Sequence, residues 1–119
     1  MIKLREDEKG QLQVSEEVIA IIANNAALEI QGVVNNNYNL AKRLWGKKKI
    51  LKDIKIDFSG EEKINIFMNI SIDFGYKIPE VMQEVQKNVK ISIENMTGLT
   101  VEQIDLNITG INLTKKESK

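Results

Sequence analysis

Cysteine and histidine are both missing from the 119 residues. Without cysteine there can be no disulfide, no thiolate nucleophile and no zinc–thiolate site. Without histidine the chain lacks the usual general base and the commonest transition-metal ligand. Any catalysis would have to use carboxylates, lysine, tyrosine or hydroxyls. Net charge is missing too: Lys plus Arg and Asp plus Glu each total 17. That balance argues against an overall electrostatic grip on nucleic acid, which normally shows as a basic domain or stripe. No stretch approaches the roughly 18 consecutive apolar residues of a spanning helix. The first ten residues also lack the apolar run of a secretory signal, so a cytoplasmic location is expected. In that setting the Asn-x-Ser/Thr tripeptides at Asn69, Asn95, Asn107 and Asn112 read as chance.

What is present is ordinary globular material, 42% hydrophobic and 29% charged. The length suits one domain spanning 1–119, with an ordered core over about 10–113. Residues 10–14 alternate and read as a short first strand. Ser15 then suits an N-cap, followed by Glu16 and Glu17 where the helix dipole favours negative charge. Val14 and Ile19 stand at the positions of a hydrophobic staple. The helix runs on through Val18, Ile22, Ala26 and Ile30, with Ile19, Ala23 and Ala27 beside them, and Gly32 reads as its C′ stop.

Ile50–Phe58 alternates through Ile54, Ile56 and Phe58. Ser59-Gly60-Glu61-Glu62 turns it into a longer strand, so an antiparallel hairpin is expected. The longer strand carries Ile64, Ile66, Met68, Ile70, Ile72 and Phe74 on one face. Each such side chain contributes roughly 1.5–3 kcal/mol when buried. The opposite face (Lys63, Asn65, Phe67, Asn69, Ser71, Asp73) suits solvent, so the sheet should be covered on one side only.

Pro79, the only proline, fits the N1 position of a second helix. Its apolar stripe is Ile78, Val81, Met82, Val85, Val89, Ile93 and Met96, with Gln83, Glu84, Gln86, Lys87, Lys90 and Glu94 facing away, and Gly98 stops it. A last strand places Ile104, Leu106 and Ile108 on one face, and the phase slips at Gly110, as at a β-bulge. The fold class that follows is α+β: a two-layer sandwich with two amphipathic helices on one face of a mixed four- to five-stranded sheet.

The strongest functional candidate is the basic–aromatic segment 38–52. It holds Tyr38, Lys42, Arg43, Trp45, Lys47, Lys48, Lys49 and Lys52, and no acidic residue lies between Glu29 and Asp53. A solvated loop with its aromatics tucked into the core accounts for this composition most simply. A protein or membrane-surface contact made by Arg43, Trp45 and Lys47 to Lys49 is the sharper reading, and nucleic acid or an acyl chain are the alternatives. No KH-type clamp or aromatic RNP strand is present. Asp73-Phe74-Gly75-Tyr76-Lys77 could support proton transfer through Tyr76 and Lys77, although Gly75 serves the turn and Tyr76 packing more simply. Glu16-Glu17 and Glu61-Glu62 are explained by helix polarity and by an exposed turn. No EF-hand, Walker A or dinucleotide-binding motif occurs, so no cofactor or metal is expected.

The order of motifs resembles the alkaline shock protein 23 family. The likeness lies in Gly10-Gln-Leu-Gln-Val-Ser15-Glu-Glu-Val18-Ile19 and its Ala-rich helix. It continues in Ile72-Asp-Phe-Gly75-Tyr76-Lys-Ile78-Pro-Glu-Val81 and Val85-Gln86-Lys-Asn-Val89. Met96-Thr97-Gly98-Leu99 and Ile104-Asp-Leu-Asn-Ile108-Thr-Gly110-Ile111 complete it. Phe74-Gly75 stands where the family usually has Tyr-Gly. The resemblance implies a non-enzymatic cytoplasmic protein of cell-envelope stress homeostasis or fatty-acid-related physiology. Its implied partners are other proteins, a membrane-anchor protein among them, and further copies of itself. No catalytic residue travels with the family, and residues 35–50 match it least.

Overall fold

The computed structural model describes residues 14–34 and 53–113. Their elements are α1 (Glu16–Leu28), β1 (Ile54–Phe58), β2 (Lys63–Asp73), α2 (Ile78–Thr97) and β3 (Thr100–Asn112). The expected strand at 10–14 and the loop at 38–52 lie outside the described residues, apart from Val14, which belongs to no strand.

The sheet has the order β1-β2-β3. The hairpin forms as the alternation requires, antiparallel with Ile56 opposite Ile66, and β3 runs parallel to β2 with Ile104 beside Ile66. Three strands stand among the described residues where four to five were expected. The strand expected at 10–14 is not among them, and the phase slip near Gly110 is the expected bulge within one strand. The register jumps from Ile70↔Ile108 to Ser71↔Gly110, so a bulge absorbs Thr109 and one strand continues to Asn112. A second jump, from Ile64↔Val101 to Asn65↔Gln103, absorbs Glu102. It brings Val101 into the core although Ile104, Leu106 and Ile108 have the opposite parity.

α1 and α2 pack on each other, α1 also on β1 and α2 also on β3. Ile64, Ile66, Met68, Ile70 and Ile72 of β2 are buried beneath them, with Ile19, Val85, Val89 and Ile93 above. Ala20, Ala23, Ala26 and Ala27 line the buried side of α1, where small side chains let a neighbour approach closely. Ser15 caps α1 by accepting a 3.1 Å bond from the Val18 N–H, and Val14 packs against the core. Gly98 ends α2 in the left-handed region, its N–H bonded to the Glu94 carbonyl.

Several side chains depart from expectation. Val18 is 47% exposed, because the buried stripe of α1 follows Ile19, Ile22, Ala23 and Ala26 instead. Phe74 is 64% exposed: β2 ends at Asp73, and Phe74 enters the turn at Gly75, past the row the helices cover. Met96 is 71% exposed, and Thr97 is buried in its place. The i, i+4 row Val85–Val89–Ile93 leads to Thr97, whose hydroxyl donates to the Ile93 carbonyl at 2.7 Å and accepts from the Leu99 N–H at 3.0 Å. With both bonds made, burying the hydroxyl costs little.

Gly32 is not the helix stop. α1 ends at Leu28 with Glu29 as its cap, and Gly32 follows three residues later at φ 101°. The chain there turns to lay Val33 antiparallel to Ile72, with the Val34 N–H donating to the Ser71 carbonyl and the Asp73 N–H to the Gly32 carbonyl. This short segment covers the edge of β2 that β1 leaves open.

Candidate functional site

The uncovered face of the sheet is polar, with one aromatic at its centre. Phe67 stands between Lys55 on β1 and Asp105 on β3, and Asn69 faces Asn107 across the parallel pair. The Asn107 amide donates to the Asn69 side-chain oxygen at 3.3 Å, and the Asn112 amide donates to the Asp73 carboxylate at 3.0 Å. Amide–amide and amide–carboxylate pairs of this kind hold a sheet surface together with little charge.

The second surface is the outer edge of β3, beneath α2. Gln86, Lys90 and Glu94 are spaced four apart, so they share one side of the helix. All three reach the strand. Gln86 donates from Nε2 to the Ile104 carbonyl at 3.1 Å, Lys90 from Nζ to the Val101 carbonyl at 3.0 Å, and the Val101 N–H donates to Glu94 Oε2 at 2.9 Å. Lys90 also pairs with Glu94 at 2.7 Å. The Lys90 ammonium, and then the Val101 amide, hold the Glu94 carboxyl below its usual value, since both favour the charged form. A shallow groove of about 470 Å³ lies here, with Gln83 and Lys87 on one wall and Glu102 and Gln103 on the other.

The sequence reads these three residues as solvent-facing. A spacing of four is legible, but nothing in the sequence says whether such a row meets water or a strand edge. Of the other candidates, Arg43, Trp45 and Lys47 to Lys49 lie outside the described residues. Tyr76 lies with its ring against the Gly32 backbone, and Asp73 is engaged by Asn112, so the turn is occupied by packing and pairing. Glu16 and Glu17 occupy the first turn of α1, and Glu61 and Glu62 are exposed in the hairpin turn. Among the described residues no cluster of carboxylates could hold a metal ion, and no helix is long and apolar enough to cross a membrane.

The profile of the alkaline shock protein 23 family, described as having a cell envelope-related function, matches residues 5–113. The chain belongs to the alkaline shock protein 23 family. It is 34% identical over 110 residues to the uncharacterized protein YqhY of Bacillus subtilis, covering 90% of this chain and 81% of that one. It is 31% identical over 110 residues to the uncharacterized protein YloU of the same organism, covering 88% and 91%. The uncharacterized protein Spy1614 of Streptococcus pyogenes is 28% identical over 112 residues, covering 86% and 88%. No solved structure matches the chain. For this alkaline shock protein 23 family member, the profile match takes in both surfaces described above and the segment 38–52.

Proposed function

We propose that the protein is a non-enzymatic interaction module that serves the cell envelope by holding other proteins. The observation that carries this reading is the family's cell envelope-related function, matched over residues 5–113. The distribution of chemistry supports it. Among the described residues, the buried side chains are aliphatic, Met and Ala with one satisfied threonine, while charge and amide groups are displayed on the open sheet face and the β3 edge. The partner contact is assigned to the basic–aromatic segment, with Trp45 as anchor and Arg43, Lys47, Lys48 and Lys49 around it. Aromatic and Arg side chains are the usual energetic centres of such interfaces. Membrane association then comes through the partner rather than through a span of this chain.

Affinity capture from native cells tests this. Wild type, Trp45→Ala and a Lys47/Lys48/Lys49 triple-Ala variant are compared. Loss of the same envelope proteins from both variants is the expected outcome. Full recovery of those partners by both variants would remove the segment as the contact.

A further inference from the structure

Isolated exposed apolar side chains such as Val18 or Ile91 are ordinary on a protein surface. At one end of the sheet they come together. Phe74 and Leu113 are each 64% exposed, and Ile111 is 50% exposed. The Phe74 N–H donates to the Asn112 carbonyl, which sets Phe74 beside the strand that carries the other two. Ile111 is aligned with Ile72, which is buried, so its side chain stands on the helix side of the sheet. The helix layer stops short of it, because the chain leaves β2 at Asp73, turns at Gly75 and enters α2 only at Ile78.

Charge is sorted along the same axis. α1 runs antiparallel to α2, since Ala26 meets Asn88 and Gly32 lies against Val81. The first turn of α1, with Glu16 and Glu17, therefore lies toward the opposite end, as do Glu61 and Glu62 in the hairpin turn. At the apolar end Lys77 is exposed, and two cationic sequences are attached. Leu113 leads into Thr-Lys-Lys-Glu-Ser-Lys. Val34, whose N–H donates to the Ser71 carbonyl, leads into a stretch whose six charged residues before Asp53 are all basic. Of the carboxylates near this end, Asp73 is engaged by the Asn112 amide, and Glu80 lies in the first turn of α2, where the helix dipole favours it. The zero net charge thus hides a polarised molecule, and such a distribution orients a protein at a charged surface.

We propose that this end docks directly on an anionic lipid surface. Phe74, Ile111 and Leu113 enter the boundary between headgroups and acyl chains, to a depth of about 5–10 Å. Lys77 and the attached basic sequences meet the lipid phosphates. The three apolar side chains project from a turn and a strand end instead of lining the groove, which lies elsewhere, by Val101 and Ile104. That suits insertion into a fluid layer better than docking against a fixed protein surface. Apolar insertion and charge together give a reversible, peripheral hold that needs no spanning helix. This goes beyond the partner contact assigned to residues 43–49, and the assay below contains no partner protein.

Co-sedimentation of the full chain with large vesicles tests it. Vesicles of equal parts phosphatidylglycerol and phosphatidylcholine should bind the protein. Pure phosphatidylcholine should bind it at least about tenfold more weakly, and added salt should release it from the mixed vesicles. Phe74→Ser/Leu113→Ser should weaken binding to the mixed vesicles at least about tenfold. Met96→Ser, at a still more exposed position at the far end of α2, should bind as wild type does. Circular dichroism verifies that the variants keep the wild-type fold. Should the double variant unfold, Ile111→Ser and Lys77→Glu, made separately, carry the same comparison. Lack of binding to the mixed vesicles, or equal binding to both compositions, overturns the proposal. Undiminished binding by the folded apolar variants, or an equal loss in Met96→Ser, overturns it as well.

Discussion

Asn88 of α2 donates from its side-chain nitrogen to the carbonyl oxygen of Ala26 in α1 at 2.8 Å. Ala26 lies in the last turn of α1, where the carbonyls have no partner in their own helix. The same amide nitrogen reaches the Glu29 carboxylate at 2.9 Å, so one side chain ties the end of α1 to the middle of α2. Asn88→Ala should lower stability by about 1–2 kcal/mol. Urea unfolding would show it as a lower midpoint at an unchanged slope. Asn88→Asp should be no better, because a carboxylate there would face an acceptor and Glu29.

Gly32 takes a backbone conformation that L side chains rarely adopt, and a Cβ there would lie 2.9 Å from Val81 Cγ2 and 3.0 Å from the Tyr76 ring. Gly32→Ala therefore carries both a conformational and a steric penalty, together about 2 kcal/mol or more. The steric part is separable. In a Tyr76→Ala background the same substitution should cost less, and a double-mutant cycle of thermal or urea unfolding measures the difference.

Stability should fall in acid partly through Glu94. Its folded-state carboxyl titrates lower than its unfolded one, because the Lys90 ammonium and the Val101 amide favour the charged form. The contribution is complete above the ordinary glutamate value and is lost as pH drops through the lowered, folded one. Glu94→Gln should be less stable than wild type at neutral pH, and the two should converge in strong acid. Unfolding curves collected across that range give the comparison.

The exchange of Met96 for Thr97 in the core is open to the same kind of measurement. Met96→Ser should be nearly neutral, within about 0.5 kcal/mol, as for exposed positions generally. Ile66→Ala, at a fully buried site in the middle of β2, should cost about 2–5 kcal/mol. A cost for Met96→Ser as large as that for Ile66→Ala would mean that the buried row of α2 had been assigned wrongly.

Much of this is legible from side-chain period alone. The alternation from Ile64 to Ile72, the Ser15 cap, the Gly98 stop and the slip at Gly110 each rest on short-range rules, and each stands where it is expected. What escapes is decided between elements. A parallel strand can take up an extra residue at Glu102 because its partner tolerates it, and no local pattern signals which parity will be buried. Met96 and Thr97 are neighbours on the helix, and only the position of β3 determines which of them it covers. Gln86, Lys90 and Glu94 read as solvated for the same reason. The candidate contact residues Arg43, Trp45 and Lys47 to Lys49 rest on composition, which marks a cationic stretch but does not orient it.

β2 is joined to β1 on one side and to β3 on the other, and β3 reaches it only after α2 has been laid down. During synthesis, then, the row from Ile64 to Ile72 leaves the ribosome well before Val101 and Ile104 can close over its far flank. Parallel pairings of this kind form late and slowly. Until residues 100–112 emerge, the nascent hairpin presents a sticky unpaired margin. That interval is when a chaperone, or a premature encounter between chains, would have its best opportunity to intervene.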